Sequence, residues 1–108
     1  MVDWADAKRL MVFLTEDDRV DHRSAADVLL RRAHDVGLSG ATVWRGVEGF
    51  GRSGHLRAAR LPDLARGLPL LFDVIDLEEA IDGFLPAIAE AVPGALVVTQ
   101  PVRVSRSN

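Results

Sequence analysis

A chain of 108 residues, 48% apolar and 27% charged with a formal charge of −3, has the size and composition of one globular domain with a single core. No apolar run approaches the roughly 20 residues that span a membrane, and the N-terminus lacks the basic-then-apolar layout of a signal peptide, so a cytoplasmic location without membrane insertion is expected. The absence of cysteine excludes disulfides, thiolate metal sites and thiol nucleophiles, and His22, His34 and His55 form no short-spaced pair that predicts a metal site.

Residues 1–7 read as a loose lead-in. Leu10-Met11-Val12-Phe13-Leu14, preceded by two basic residues and followed by Thr15-Glu16-Asp17-Asp18, is short and bounded by charge, which predicts a buried strand. Residues 24–36 carry Ala25, Ala26, Leu29, Leu30 and Ala33 at helical spacing, with Asp21 to Ser24 as capping side chains and Gly37 as the stop. Ala41-Thr42-Val43-Trp44 is a second strand, rich in β-branched and aromatic residues. A loop over 52–67 follows it. Leu68-Pro69 opens a third strand, with proline at its start where no ladder donor is lost. Asp76 and Glu79 are placed as a capping box for a second helix, inside which Pro86 predicts a kink or loosened turn near 82–86. Residues 95–99 form the last strand, running on past Pro101 at a sheet edge, and the C-terminus is expected to fray.

The order β-α-β-β-α-β predicts a single α+β domain over 1–108, with its core at about 7–104. Two β-α-β halves of this length give a ferredoxin-like four-stranded antiparallel sheet with both helices on one face. The other sheet face and the edges then need covering, which predicts an oligomer.

In that topology the exit of the first strand, the start of the first helix, the glycine-rich stretch and the turn at 92–95 meet at one end. Gly46, Gly49 and Gly51 surround Val47, Glu48 and Phe50, where a bare backbone can take positive φ or approach another group closely. Residues 45–66 hold five arginines against Glu48 and Asp63, a local charge of +3 on a body of −6. A small basic island suits a compact anion or an acidic partner surface better than a nucleic acid, which wants a broad basic face.

Arg45, Arg52, Arg57 and His55, together with the first amides of the first helix, are the candidate anion contacts. Glu16 and Glu48 either accept from a ligand's sugar or base or form salt bridges with these arginines. Trp44 and Phe50 are either base-stacking rings or core and interface residues. Ser53-Gly54-His55 sets a hydroxyl beside a base, but no orienting acid or oxyanion hole accompanies it, so no enzyme activity is expected.

The stretch from Gly40 to Gly51, Gly-Ala-Thr-Val-Trp-Arg-Gly-Val-Glu-Gly-Phe-Gly, resembles the signature of the domain of unknown function 190 (DUF190) family. The likeness extends over about 7–104 and includes Leu14 to Asp18, Leu68-Pro69, Phe84-Leu85-Pro86 and Val97 to Val102. Members of that family are similar to the PII signalling proteins, ferredoxin-like homotrimers that bind adenine nucleotides between subunits and contact target proteins through the loop after strand two.

The resemblance implies a PII-like regulatory protein whose cofactor is an adenine nucleotide or another small anion. Of the PII nucleotide site, the base of the long loop is matched in kind by Gly46 to Gly51, and together with the residues that the topology brings to that end the expected ligand set is Glu16, Arg45, Gly46, Glu48, Gly49, Phe50, Gly51, His55 and Arg57. PII proteins also use a glycine- and lysine-bearing loop after helix two, where this chain has Ala91-Val92-Pro93-Gly94-Ala95 with no basic residue. It also has no tyrosine to be nucleotidylated. The alternative is a ligand-independent interaction module docking on a partner such as a membrane transporter or channel.

Overall fold

The computed structural model describes residues 3–105. Its main sheet is built from β1 (Trp4–Thr15), β4 (Ala41–Arg45), β7 (Pro69–Asp76) and β8 (Leu96–Ser105) in the order β4-β7-β1-β8, with every neighbouring pair antiparallel. Between them lie a small hairpin of β2 (Arg19–Val20) and β3 (Arg23–Ser24), helix α1 (Ala25–Asp35), a second hairpin of β5 (Glu48–Gly49) and β6 (Arg57–Ala58), a 3-10 turn (Pro62–Leu64) and helix α2 (Glu78–Ala91). This is the ferredoxin-like α+β arrangement expected from the element order.

The core follows from two periodicities. Leu10, Val12 and Leu14 alternate along β1 and, with Phe72 and Val74 of β7, point to one face of the sheet. Ala26, Leu29 and Ala33 of α1 and Ile81, Phe84 and Ile88 of α2 recur every three or four residues and close on that face. Each fully buried Leu, Ile or Phe stabilises the fold by about 1.5–3 kcal/mol. Phe72 and Phe84 meet as tilted rings with centroids 6.2 Å apart. Lys8 ties β1 to α2 through Asp82 at 2.7 Å and Glu78 at 3.5 Å, and those carboxylates, Asp82 foremost, hold its ammonium above the usual lysine range.

Several local expectations are corrected. Residues 4–7 are not a lead-in: they extend β1 and pair with the end of β8, from Trp4 opposite Ser105 to Ala7 opposite Val102. The Arg103 guanidinium lies 5.5 Å over the Trp4 ring, a cation–π contact that helps hold this far end together. The extreme termini, expected to fray, fall outside the described residues apart from Ser105, which is in β8.

Asp76 does not cap α2. It ends β7, where its carboxylate accepts from the amides of Ser39 at 2.8 Å and Leu77 at 2.7 Å, and Leu77 takes the N-cap position with no side-chain cap bond. Helix α2 also runs unbroken through Pro86. Proline removes one intrahelical donor, and the buried stripe on either side, Ile81, Phe84 and Ile88, keeps the helix seated. Pro101, as expected, sits on an edge strand, the place in a sheet where proline is tolerated.

The opposite face of the sheet is left open. Arg9, Met11 and Phe13 of β1, Leu71, Asp73 and Ile75 of β7, Trp44 of β4 and Leu96 of β8 occupy it, and Phe13, Trp44, Ile75 and Leu96 are large and exposed. In its midst Asp73, whose side chain is only 12% exposed, accepts two bonds from Arg9, at 2.9 Å from Nε and 2.8 Å from Nη2. It accepts a third, at 3.1 Å, from the Trp44 indole. Hydrogen bonds from Arg9 above all, reinforced by Trp44 and opposed by desolvation, hold the Asp73 carboxyl below the usual carboxylate range. Trp44 is thus a residue of the open sheet face.

Candidate functional site

The chain leaves β4 at Arg45 and re-enters the sheet at Leu68, and the excursion between them is fastened at its base. The Gly46 amide donates to the Pro69 carbonyl at 2.7 Å. A Cβ added at Gly46 or at Gly49 would stand 3.1 Å from the Pro69 ring, tighter than ordinary packing, so both positions need a bare backbone for close approach. Positive φ, the other use expected of this stretch, occurs instead at Gly54 and Gly67. The β5–β6 hairpin pairs Glu48 with Ala58 and Gly49 with Arg57, and Ala58 is buried beneath it.

Two carboxylates complete the fastening. Glu16 Oε1 accepts from the Leu68 amide at 2.9 Å, its own amide donates to the Leu68 carbonyl at 3.0 Å, and Oε2 pairs with Arg45 Nε at 3.2 Å. One side chain therefore grips both ends of the excursion. Glu48 accepts from Arg60 at 3.1 Å across the hairpin. Of the two roles open to these carboxylates in the sequence, the salt bridge is the one present, and it places Glu16, Arg45 and Glu48 in the frame of the site.

Beside this frame lies a cleft of about 1280 Å³, roomier than the roughly 300–1,000 Å³ of many small-ligand pockets. Three walls form it: the end of β1 and the approach to β2, the glycine-rich segment with the loop to Arg57, and the turn from Ala91 to Ala95. Of the residues singled out in the sequence, Gly49, Phe50, Gly51, His55 and Arg57 line this cleft, whereas Glu16, Arg45, Gly46 and Glu48 do not. The start of α1 is also outside it. The Ala25 amide is taken by the Asp18 carbonyl at 2.8 Å, and the β2–β3 hairpin folds over the helix end, so the expected anion site on its free amides is not part of the cleft.

Reading along the sequence missed Arg19. The hairpin turn through Asp21 and His22, both at positive φ, sets β2 beside the exit of β1 and brings this side chain to the cleft. Arg19, Arg52 and Arg57 make no ion pair among the described residues, unlike Arg9, Arg45 and Arg60. Two acidic residues, Asp17 and Asp18, also line the cleft, and of their carboxylates that of Asp18 is engaged by its own chain. Asp18 Oδ2 accepts from the Thr15 amide at 2.7 Å, and Asp17 covers the backbone of Gly67. The arrangement can receive an anion from two sides, with Phe50 exposed alongside for an aromatic contact. No cluster of His, Cys, Asp or Glu suited to a metal ion occurs among the described residues. No helix among them is long and apolar enough to cross a membrane.

The DUF190 family model, described as Uncharacterized ACR, COG1993, matches residues 7–104. A UPF0166 protein of Aquifex aeolicus (strain VF5) is 38% identical over 81 residues, covering 75% of this chain and 77% of its own. A UPF0166 protein of Methanocaldococcus jannaschii is 30% identical over 95 residues, covering 86% and 87%.

Among solved structures, a candidate PII-like signaling protein of Thermus thermophilus superposes with a TM-score of 0.64 at 19% identity, over 96% of this chain and 92% of its own. CPII of Thiomonas intermedia K12, a nitrogen regulatory PII-like protein solved bound to ADP, AMP and bicarbonate, superposes with a TM-score of 0.62 at 21% identity, over 98% and 100%. At these identities the likeness establishes a shared PII-like, ferredoxin-type fold.

Proposed function

The chain belongs to the DUF190 family, and we propose that it is a PII-like regulatory protein. In this reading it assembles as a homotrimer, binds a small anionic ligand of the adenine nucleotide class in clefts at the subunit boundaries, and reports occupancy to a partner protein through the excursion over 46–67. The observation that carries the reading is the cleft itself, lined by three arginines free of carboxylate partners among the described residues and walled by the segment that would signal.

Phe13 and Leu96 line this cleft and also belong to the open sheet face, so a copy laid on that face would close the cleft's mouth. CPII, which shares the fold, is the relative solved with ADP and AMP. The ligand would act by population shift: an anion drawn to Arg52 and Arg57 binds better when the excursion lies against the body, and so stabilises that state.

The test is thermal denaturation with ADP, AMP, bicarbonate and other simple anions, on wild type and on an Arg52→Ala/Arg57→Ala variant. A ligand that binds only the native state raises the melting temperature by mass action. A rise in wild type that is lost in the variant is expected; no rise with any of these compounds refutes the reading.

A second reading, a ligand-independent module docking on a partner such as a membrane transporter or channel, is favoured by one observation. Val47, Phe50, Leu56 and Leu61 are all exposed on the same excursion. Partner binding with equal affinity in the presence and absence of every ligand would select it.

A further inference from the structure

The open face of the sheet carries one ion pair in an apolar surround. Arg9 and Asp73 stand there on neighbouring strands, bordered by Ile75 opposite Arg9, Met11 opposite Asp73 and the exposed Trp44 ring. Asp73 is satisfied from within, its oxygens taking two N–H groups of Arg9, at 2.9 and 2.8 Å, and the Trp44 indole N–H at 3.1 Å. Arg9 is not. A guanidinium has five N–H donors, and only its Nε and Nη2 edge is used. Nη1 has no acceptor among the described residues, and the Arg9 side chain stays 34% exposed.

The chain exposes 7607 Å², whereas a compact monomer of 11.8 kDa exposes about 5,900 Å². The excess of roughly 1,700 Å² is the size of the two interfaces that each copy makes in a cyclic trimer, at about 800 Å² apiece. A second copy also suits the face better than a lipid surface does, because hydrocarbon offers no acceptor to Nη1 and penalises both charges.

Resting on the homotrimer of the reading above, we propose that Arg9, Asp73 and Trp44 are the specificity element of its interface, deciding how the copies register on the open face. The apolar surround supplies the burial, and burial is non-directional, so it accepts a shifted or tilted neighbour almost equally well. The ion pair does not. Once covered, Nη1 needs an acceptor from the neighbouring copy, and a docking that fails to place one there buries its donors unsatisfied. Fixing register at some cost in stability is the best-attested use of a buried polar group.

The experiment is native mass spectrometry and sedimentation of the full chain over a dilution series. The variants are Arg9→Met, Arg9→Met/Asp73→Leu and, as a control, Arg31→Met/Asp27→Leu, which removes an exposed ion pair on α1, away from the open face. Wild type and control are expected as one species, a trimer. Arg9→Met strands the Asp73 carboxylate and should dissociate at about tenfold or higher concentration than wild type. The double variant should associate again, since no charge is left to bury, but as several coexisting oligomers.

A double variant that forms only the wild-type trimer overturns the specificity role while leaving the trimer standing. Arg9→Lys, which keeps the charge but not the fork, carries the test if the double variant does not fold. It should dissociate at about tenfold higher concentration, and wild-type dissociation there overturns the proposal. A wild type that is monomeric at every concentration leaves the face to another occupant, and the inference falls together with the assembly.

Discussion

Gly67, where the excursion returns to the sheet, is buried and has φ of +64°. A Cβ there would overlap Oδ2 of Asp17 and stand 3.2 Å from its Cγ. Gly67→Ala therefore adds two costs. Holding an L-residue in the left-handed region costs about 1–2 kcal/mol. The collision costs less, because Asp17 is exposed and its carboxylate can swing towards water. A combined loss of about 1.5–3 kcal/mol at 25 °C is expected, equivalent to a fall in Tm of roughly 6–20 °C in a domain of this size.

Urea denaturation of wild type, Gly67→Ala and Gly67→Ala/Asp17→Gly, at one protein concentration, separates the two costs. The double variant should regain only the smaller, collision part. Gly51→Ala is the control, because its φ lies outside the left-handed range and nothing stands within 4 Å of the added Cβ. It should leave stability unchanged or raise it slightly. If Gly67→Ala is as stable as wild type, the return of the excursion does not have the conformation described, and the gripping of its base fails with it.

Three further outcomes are expected. His22→Gly should stabilise by about 1 kcal/mol in urea denaturation, because Asp21 and His22 hold φ of 49° and 68° in a two-residue hairpin turn that favours glycine at the second position. Glu16→Ala should cost about 1–2 kcal/mol and speed tryptic cleavage at Arg52, Arg57, Arg60 and Arg66, because it releases Arg45 and the Leu68 amide together. Glu16→Gln, which keeps the acceptor, should lie between. Asp73 sets an acid limb. Its folded pKa is lowered, so its contribution is present above the unfolded value of about 3.9 and is lost as pH falls through the folded one. Wild type should lose stability below about pH 4 more steeply than Asp73→Asn, as followed by Tm against pH.

The architecture was legible because the signals that specify it are local. Leu10, Val12 and Leu14 alternate, Ile81, Phe84 and Ile88 recur with helical period, and two β-α-β halves leave few ways to close a sheet. The failures share a cause as well. Trp4 to Ala7 lack a clean alternation, and their strand conformation comes from a partner almost a hundred residues away in β8. The β2–β3 hairpin turns on Asp21-His22, which carries neither of the usual Asn-Gly or Asp-Gly signals.

That missed hairpin is what hid Arg19, since nothing in the sequence beside it marks a site. Glu16 and Glu48 show a different limit. A carboxylate near arginines has the same sequence signature whether it grips the chain or a ligand, and the pairings at 3.2 Å and 3.1 Å decide between the two.

In the proposed function, ligand occupancy sets the state of the excursion over 46–67. Hydrogen exchange of the full chain, with and without saturating ADP, addresses it directly, because amides of loosely secured segments exchange by local opening. Ligand-controlled ordering predicts slowed exchange in 50–57 and in the β2–β3 hairpin, with the core of β1 and β7 unchanged. ADP binding by titration with no change of exchange in 46–67 would contradict it, leaving a ligand site that does not signal through this segment.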